Sequence, residues 1–537
     1  MKNTILILTL FASSIFVNGQ SFNGFALYNA QGSNTTYLID ENQNIAHTWD
    51  MNTECNYTVA LKENGNLVRG TKGNTSVFSN GNIAAGAGIV QEIAPDGSIV
   101  WSFDYADNDH VSHHDLTLIG DNVLLTAYEK KTSTELNAAG FNNASSDKWP
   151  THFVELEPDG NGGANIVWEW HIWDHMCQDT DPSGPNYVSN ISDHPELIDI
   201  NMIQSQGGPG GGDWFHVNGV DYNEELDQIV FSSRFASEIY IIDHSTTTAE
   251  ASTSSGGNSA MGGNILYRWG NPANYGVSGT QVIVSAVHDS RWIKDDGRPN
   301  GGFLQIFNNC GAGCAGQGPS AVTNSTIDGI ETPWDATTNT YLRTPGQAFE
   351  PFSYTTRYEC AYSAKGQSAS DRMSNGNIYV NASGGQGGAG VMYEVDAVTG
   401  QIIWGPYNAQ SQKGFRYECD YPGIVALESY MYPNGNITTS CFDATAITEN
   451  TISDALTIFP NPTKGVVTLR FETVEIQDIE IQIVNSIGQQ VYNYHLNRYL
   501  GLVNEKIDFS SFSEGLYFAK ITTNKGQSVI ERIAYIK

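Results

Sequence analysis

Positive charge is scarce in this chain. Lys and Arg total 26 against 58 Asp and Glu, a formal net charge of −32. Nucleic acid and anionic membrane surfaces would be repelled, so neither is an expected partner. An anionic small substrate would need a local cationic pocket. Long apolar runs are missing too: beyond Val17 no stretch is long enough to span a bilayer, and no transmembrane segment is expected. The opening, MKNTILILTLFASSIFVNGQ, has a short basic start, an apolar stretch from Ile5 to Val17 and then small residues. Residues 1–19 therefore read as a secretory signal peptide, and the absence of Cys at the cleavage point disfavours a lipoprotein. Cysteines are few, seven in all: Cys55, Cys177, Cys310, Cys314, Cys360, Cys419 and Cys441. An exported chain can keep disulfides. Cys310 and Cys314, in a glycine-rich loop, are the best local pair, and the odd count leaves at least one thiol or another pairing. No metal is expected, since no second cysteine or histidine set flanks that pair.

Glycine is plentiful, at 55 residues, alongside many Asn, Asp, Ser and Thr, as short strands and tight turns require. Two units recur. One is a strand, an acidic or glycine turn, and a strand ending in Trp: TYLIDENQNIAHTW (36–49), VQEIAPDGSIVWSF (90–103), FVELEPDGNGGANIVWEW (153–170), IYIIDHS…GGNILYRWG (239–270) and MYEVDAVTGQIIW (392–404). The other is a hairpin about an Asn-Gly-like turn: VALKENGNLVRG (59–70), HDLTLIGDNVLLTAYE (114–129) and RMSNGNIYVNAS (372–383), with looser versions near 225, 301 and 435. The units alternate. Four-stranded modules at spacings of roughly 55–75 residues read as propeller blades. The chain opens on an outer pair (25–49) and closes on an inner pair (about 424–441), which together would make one sealing blade. The expectation is an all-β chain with a six-bladed β-propeller over 22–445; one large sandwich would not explain the alternation.

Residues 446–455 form a polar linker, and 456–537 alternate as a small β-sandwich would. FPNPTKG, VNSIGQQV and SEGLYFAKI in this tail resemble the C-terminal sorting domain of the type IX secretion system. That resemblance implies the type IX machinery as a partner and passage through the periplasm and outer membrane to the cell surface or beyond.

Three histidines stand at or near the start of the first strand of successive modules: His114, His216 and His288. In a propeller such strands line the central channel, so the three imidazoles converge. Arg234 ends the hairpin that starts at His216, one hairpin length away, and returns to its level. Imidazoles with a guanidinium suit an oxyanion of sulfur or phosphorus. Arg offers a fork to two oxygens, a neutral imidazole is a nucleophile, and cationic neighbours stabilise the transferring group. Three histidines also bind zinc, but an arginine beside them opposes a dication. His171 and His175 of EWHIWDH are four apart, yet follow a strand pattern and read as structural. Trp101, Trp168, Trp269 and Trp404 read as packing residues.

HHDLTLIGDNVLLTAYE, DWFHVNGVDYNEELDQIVFSSRF and VHDSRWI resemble the bacterial arylsulfate sulfotransferase family, over about 85–310 and more loosely to 440. The resemblance implies ping-pong transfer of a sulfuryl group from an aryl sulfate to a phenol, through a sulfohistidine, with no cofactor and without phosphoadenosine phosphosulfate. Carried over by motif, His288 would be the nucleophile. His114, with His113 as its rival, would join His216 and Arg234 in binding the sulfuryl oxygens. Tyr128 and Tyr222 are candidates to stack on the aryl ring, and Asp115 and Asp289 to orient their neighbouring histidines. The competing readings are a non-catalytic propeller that binds glycans or a surface partner, and an aryl-sulfate hydrolase.

Overall fold

The computed structural model describes residues 21–78, 83–203, 211–279, 281, 284–312, 324–442, 456–485, 488–523 and 528–537. The expected signal peptide, the linker and Cys314 lie outside the described residues. The chain falls into two compact units, Met1–Thr438 and Thr439–Lys537.

The first unit is all-β and holds six four-stranded antiparallel sheets among its described residues. Their terminal strands are β1 (Cys55–Leu61), β2 (His110–Ile119), β3 (Val217–Asn223), β4 (His288–Trp292), β5 (Ala369–Arg372) and β6 (Ser411–Glu418). Each of β1 to β5 begins a sheet that continues with the next strands in sequence, except that the β4 sheet passes over a small hairpin, Trp334–Asp335 with Thr340–Tyr341, before its fourth strand Thr356–Glu359. The sixth sheet is different, because β6 pairs with Gly24–Ala30 from the start of the chain, with Phe25 opposite Tyr417 and Leu27 opposite Phe415. One strand thus closes this sheet, not the pair expected at 424–441; there Pro422–Leu427 forms a short helix. Pro422 explains the difference, since it fits a helix's first turn and cannot donate to a ladder.

The Asn-Gly turns carry the sheet geometry. At Asn64-Gly65, Gly65 takes φ +84°, and the hairpin closes through Lys62 N–H to Asn66 O at 2.9 Å. Asn375-Gly376 repeats the arrangement, with Gly376 at φ +87°. Such angles are open to glycine and strained for most other residues.

Neighbouring terminal strands touch in one cyclic order: β1 to β2, β2 to β3, β3 to β4, β4 to β5, β5 to β6 and β6 back to β1. Four of the recurrent tryptophans reach from one sheet to its neighbour, while Trp101 donates to Glu92 Oε2 within its own sheet at 2.7 Å. Trp49 donates to Ala94 O at 3.2 Å, Trp168 to Thr246 Oγ1 at 3.3 Å, Trp269 to Pro351 O at 2.6 Å and Trp404 to Glu41 O at 2.7 Å. Each indole is buried, and each N–H keeps the partner that burial demands.

In the second unit five antiparallel strands are hydrogen-bonded in one connected network. The 20-residue strand Val466–Asn485 joins them. Its first half pairs with Thr457–Phe459 and with Val503–Asp508, and its second half with Gln490–Tyr499 and Gly515–Thr523. Val467, Leu469 and Phe471, then Ile479, Ile481 and Ile483, alternate into one buried core.

Candidate active site

The three histidines are set out by the same local device. Each lies where a terminal strand leaves its ladder. In β2 the pairing register shifts between Ser112 and Leu116, and His114 takes φ +50°. His216 stands just before β3 with φ +54°, and the register shifts between Val217 and Gly219. In β4 the shift falls between His288 and Arg291, with Asp289 at φ +51°. A bulge re-aims a side chain out of the strand's alternation. A left-handed residue with a Cβ costs of order 1–2 kcal/mol, and such strain gathers where function needs it.

The rings meet. His114 and His216 have centroids 4.5 Å apart. Arg234 follows the hairpin partner of β3 and returns to His216, where its backbone N–H donates to His216 O at 3.0 Å. Its guanidinium Nη1 donates to Lys365 O at 2.9 Å and makes no ion pair among the described residues. His288 and His114 are each about 1% exposed. Burial, then the charges of Arg234 and His216, hold His288 well below the ordinary imidazole range. Burial, then His216 and His113, do the same for His114. Both are neutral at neutral pH.

The hydrogen bonds fix the tautomer of His288. Its Nδ1 faces two acceptors, Ala286 O and Asn309 Oδ1, both at 2.8 Å. The Asn309 amide cannot be turned around, because its Nδ2 donates to Ala364 O at 3.1 Å and Gln367 O at 2.8 Å. Nδ1 therefore carries the proton and Nε2 keeps its lone pair. The His216 Nδ1 donates to Asp213 Oδ2, which is fully buried. That bond orients the ring and leaves Nε2 toward the cluster's other imidazole.

Behind the imidazoles lies a buried ionic group. Lys413 of β6 is fully buried, and its Nζ reaches Asp115 Oδ2 at 2.6 Å and Asp289 Oδ1 at 3.4 Å. These are the residues after His114 and His288. Asp115 also accepts from Val220 N at 2.9 Å, and Asp289 from Ser370 N at 2.8 Å. Gly219 lets β3 and β4 come this close: a Cβ there would stand 2.7 Å from Asp289 N and 2.9 Å from its Cα.

Of the sequence candidates, His114, His216, His288 and Arg234 are thus brought together. His113 stands one layer back. Its ring stacks on Tyr128 at 3.6 Å, its Nδ1 lies 2.7 Å from His114 Nδ1, and burial pushes its pKa down to about 3. Tyr128 is fully buried in that stack and has no face left for a ligand. Tyr222 lies at the far end of β3, where its hydroxyl donates to Asp227 at 2.9 Å. Hairpin geometry puts it there, six residues from His216, so neither tyrosine serves as expected. The half-buried aromatics at the cluster are Tyr57, 5.8 Å from His114, and Phe235, 4.8 Å from His216. His171 and His175 do not pair as ligands: His175 bonds Asn264 and Ala251, and His171 lies by Glu129. Cys310, Cys419 and Cys441 are disulfide-bonded, while Cys55, Cys177 and Cys360 are free.

Asp213, Asn309 and Lys413 were not anticipated. Asp213 had a signal, three residues before His216 in DWFH. Asn309 and Lys413 had none, since their roles depend on which strands meet. Two larger cavities, of about 700 and 530 Å³, open at the other ends of these strands, the first beside Arg372 and Glu418, the second beside Tyr222 and Trp292.

No curated protein matches the chain. Among solved structures, a protein from Lactobacillus plantarum is 8% identical, with 90% of this chain and 100% of that one covered and a TM-score of 0.36. A putative 6-phosphogluconolactonase from Bacteroides fragilis is 9% identical, with 74% and 98% covered and a TM-score of 0.35. The Cps50 (Swd1) β-propeller domain of Myceliophteria thermophila is 9% identical, with 72% and 86% covered and a TM-score of 0.33. Likenesses this slight decide nothing about the chain. The family matches are specific. Residues 14–254 match the arylsulfotransferase (ASST) family, and residues 457–536 match the secretion system C-terminal sorting domain. The sorting domain marks the protein for export to the cell surface or for secretion. These two matches relate residues 14–254 of the chain to the arylsulfotransferases and residues 457–536 to the secretion-system sorting domains.

Proposed function

We propose that the six sheets are the blades of a closed propeller and that the histidine cluster transfers sulfuryl groups between phenols. The cyclic contacts of the terminal strands, the Trp404 bond from the fifth sheet to the sixth and the Trp49 bond from the sixth sheet to the first support closure. The observation that carries the chemistry is the state of His288: neutral, with Nδ1–H committed to two acceptors and Nε2 free to attack. Its lone pair forms an N–S bond as the S–O bond of an aryl sulfate breaks, and the phenolate leaves with that electron pair. Arg234, His216 and His114 hold the sulfuryl oxygens, and His216, backed by Asp213, supports charge on the leaving oxygen. A second phenol passes its proton to the departed phenolate or to water, its oxygen attacks sulfur, and the N–S bond breaks with its electron pair returning to His288 Nε2. No phosphoadenosine phosphosulfate is involved. Tyr57 and Phe235 flank the aryl ring in place of the two tyrosines first considered.

The test is release of nitrophenolate from 4-nitrophenyl sulfate, with and without phenol, by the wild type and by His288→Ala. Sustained release that requires phenol and is lost in the variant is expected. Equal turnover without phenol would mean hydrolysis, and turnover in His288→Ala would remove His288 from the nucleophile's role.

A further inference from the structure

Lys413 is the only lysine of β6 and is fully buried, where an ammonium persists only if its charge is met. It is met twice, by Asp115 and Asp289. Asp115 follows His114 on β2, and Asp289 follows His288 on β4. Each carboxylate spends its remaining capacity on a neighbouring terminal strand, Asp115 on Val220 N of β3 and Asp289 on Ser370 N of β5. Thr58 of β1 adds a bond from Oγ1 to Asp115 at 2.5 Å, and Arg291 one to Asp289 at 3.2 Å. One ammonium therefore links all six terminal strands within two bonds of itself. It does so at the residues that set the direction of two imidazoles.

We propose that Lys413 is a positioning residue for sulfuryl transfer, holding His114 and His288 in mutual register through the carboxylates that follow them. The inference rests on the transfer reading above. Lys413 touches no reacting atom. It fixes the carboxylates, and the backbone of each His-Asp pair carries the constraint to the ring. A displacement of about 1 Å at reacting groups costs roughly 100-fold in rate. Removing the ammonium also leaves Asp115 with no ion pair among the described residues and Asp289 with Arg291 alone, so no charge joins the two carboxylates.

The test uses the full-length protein carrying Lys413→Met or Lys413→Arg. A kcat lower by roughly 100-fold in K413M, with KM changed far less and rate partly recovered in K413R, is expected. A folded K413M with wild-type kcat overturns the proposal. A second readout does not need turnover: the imidazole nitrogen resonances of His114 and His288, assigned by single substitution, should both move in K413M while those of His244 stay. Unmoved His114 and His288 signals overturn the proposal even if no aryl sulfate is ever turned over, so its failure is separable from failure of the transfer reading. Should K413M not fold, Asp115→Asn and Asp289→Asn keep the shape and the backbone bonds and remove one charge each. Each should shift the signal of its own histidine; no shift in either again overturns the proposal.

Discussion

Raising the pH should loosen the joint between the sheets that carry His114 and His216, and one histidine sets the size of the effect. His244 Nδ1 lies 2.7 Å from Asp227, and its Nε2 lies 3.0 Å from Glu155 on the adjacent sheet. These two carboxylates overcome the burial that opposes charge and raise its pKa from 6.5 to about 9. Because the folded value lies above the unfolded one, the stabilisation is complete below about pH 6.5 and is lost as pH rises through about 9. That rise is worth about 3 kcal/mol at 1.36 kcal/mol per tenfold change in proton affinity. Asp227 is 35% exposed, so water screens that arm and about 2 kcal/mol is the better expectation. Glu155 and Asp227 are themselves held below the usual carboxylate range, with His244 foremost among the favourable contacts, so the joint also weakens in acid. The assay is denaturant unfolding of wild type and His244→Gln from pH 5 to pH 10. The difference between them should be about 2 kcal/mol near pH 6 and close to zero at pH 10. A difference that is flat across this range, or absent at pH 6, would refute the reasoning.

Three further outcomes are expected. Asn309→Ala removes one of the two acceptors at His288 Nδ1; the Nδ1–H tautomer should become less dominant in nitrogen NMR, and kcat should fall roughly 10-fold, about 1.4 kcal/mol. Gly219→Ala inserts a methyl group 2.7 Å from Asp289 N; a loss of about 1–3 kcal/mol in unfolding free energy, with reduced nitrophenolate release, should follow, and neutral behaviour would mean that β3 and β4 are free to separate. Asp213→Asn keeps the shape of the His216 partner but not its charge; kcat should drop by at least roughly 100-fold, most for substrates whose phenolate is the poorest leaving group.

Much of this arrangement was legible beforehand because it rests on local signals. Asn-Gly turns and the Trp-ended outer pairs repeat along the chain, so the modules could be counted. His114, His216 and His288 keep one position relative to those turns, so their meeting followed from the modules. Arg234 followed from the length of one hairpin. What was missed depends on contacts across the chain. The partner of Gly24–Ala30 is β6, nearly 400 residues away, and nothing local marks Ser411–Glu418 as the closing strand. Lys413 was invisible for the same reason. The tyrosines failed otherwise: an aromatic near a site in sequence has two faces and a strand end to choose from. Tyr128 stacks inward on His113, and Tyr222 lies beyond the reach of the cluster.

The charge of the site resolves the difficulty an acidic chain poses for an anionic substrate. Three carboxylates lie close to the imidazoles, and each is spoken for. Asp213 accepts a hydrogen bond from His216 Nδ1, Asp115 and Asp289 share Lys413, and backbone amides and Arg291 take up much of the rest. Lys413 in turn has no charge to spare. Arg234 stands apart, since its guanidinium is anchored by a neutral carbonyl and by no carboxylate within salt-bridge distance among the described residues. In a buried cluster such a cation is not screened as it would be in water. On the proposed reading, the excess of acid over base across the whole molecule therefore matters little at the site. The local field is set by a guanidinium that no carboxylate meets in a direct ion pair among the described residues, and a sulfate ester that enters beside it would supply that contact.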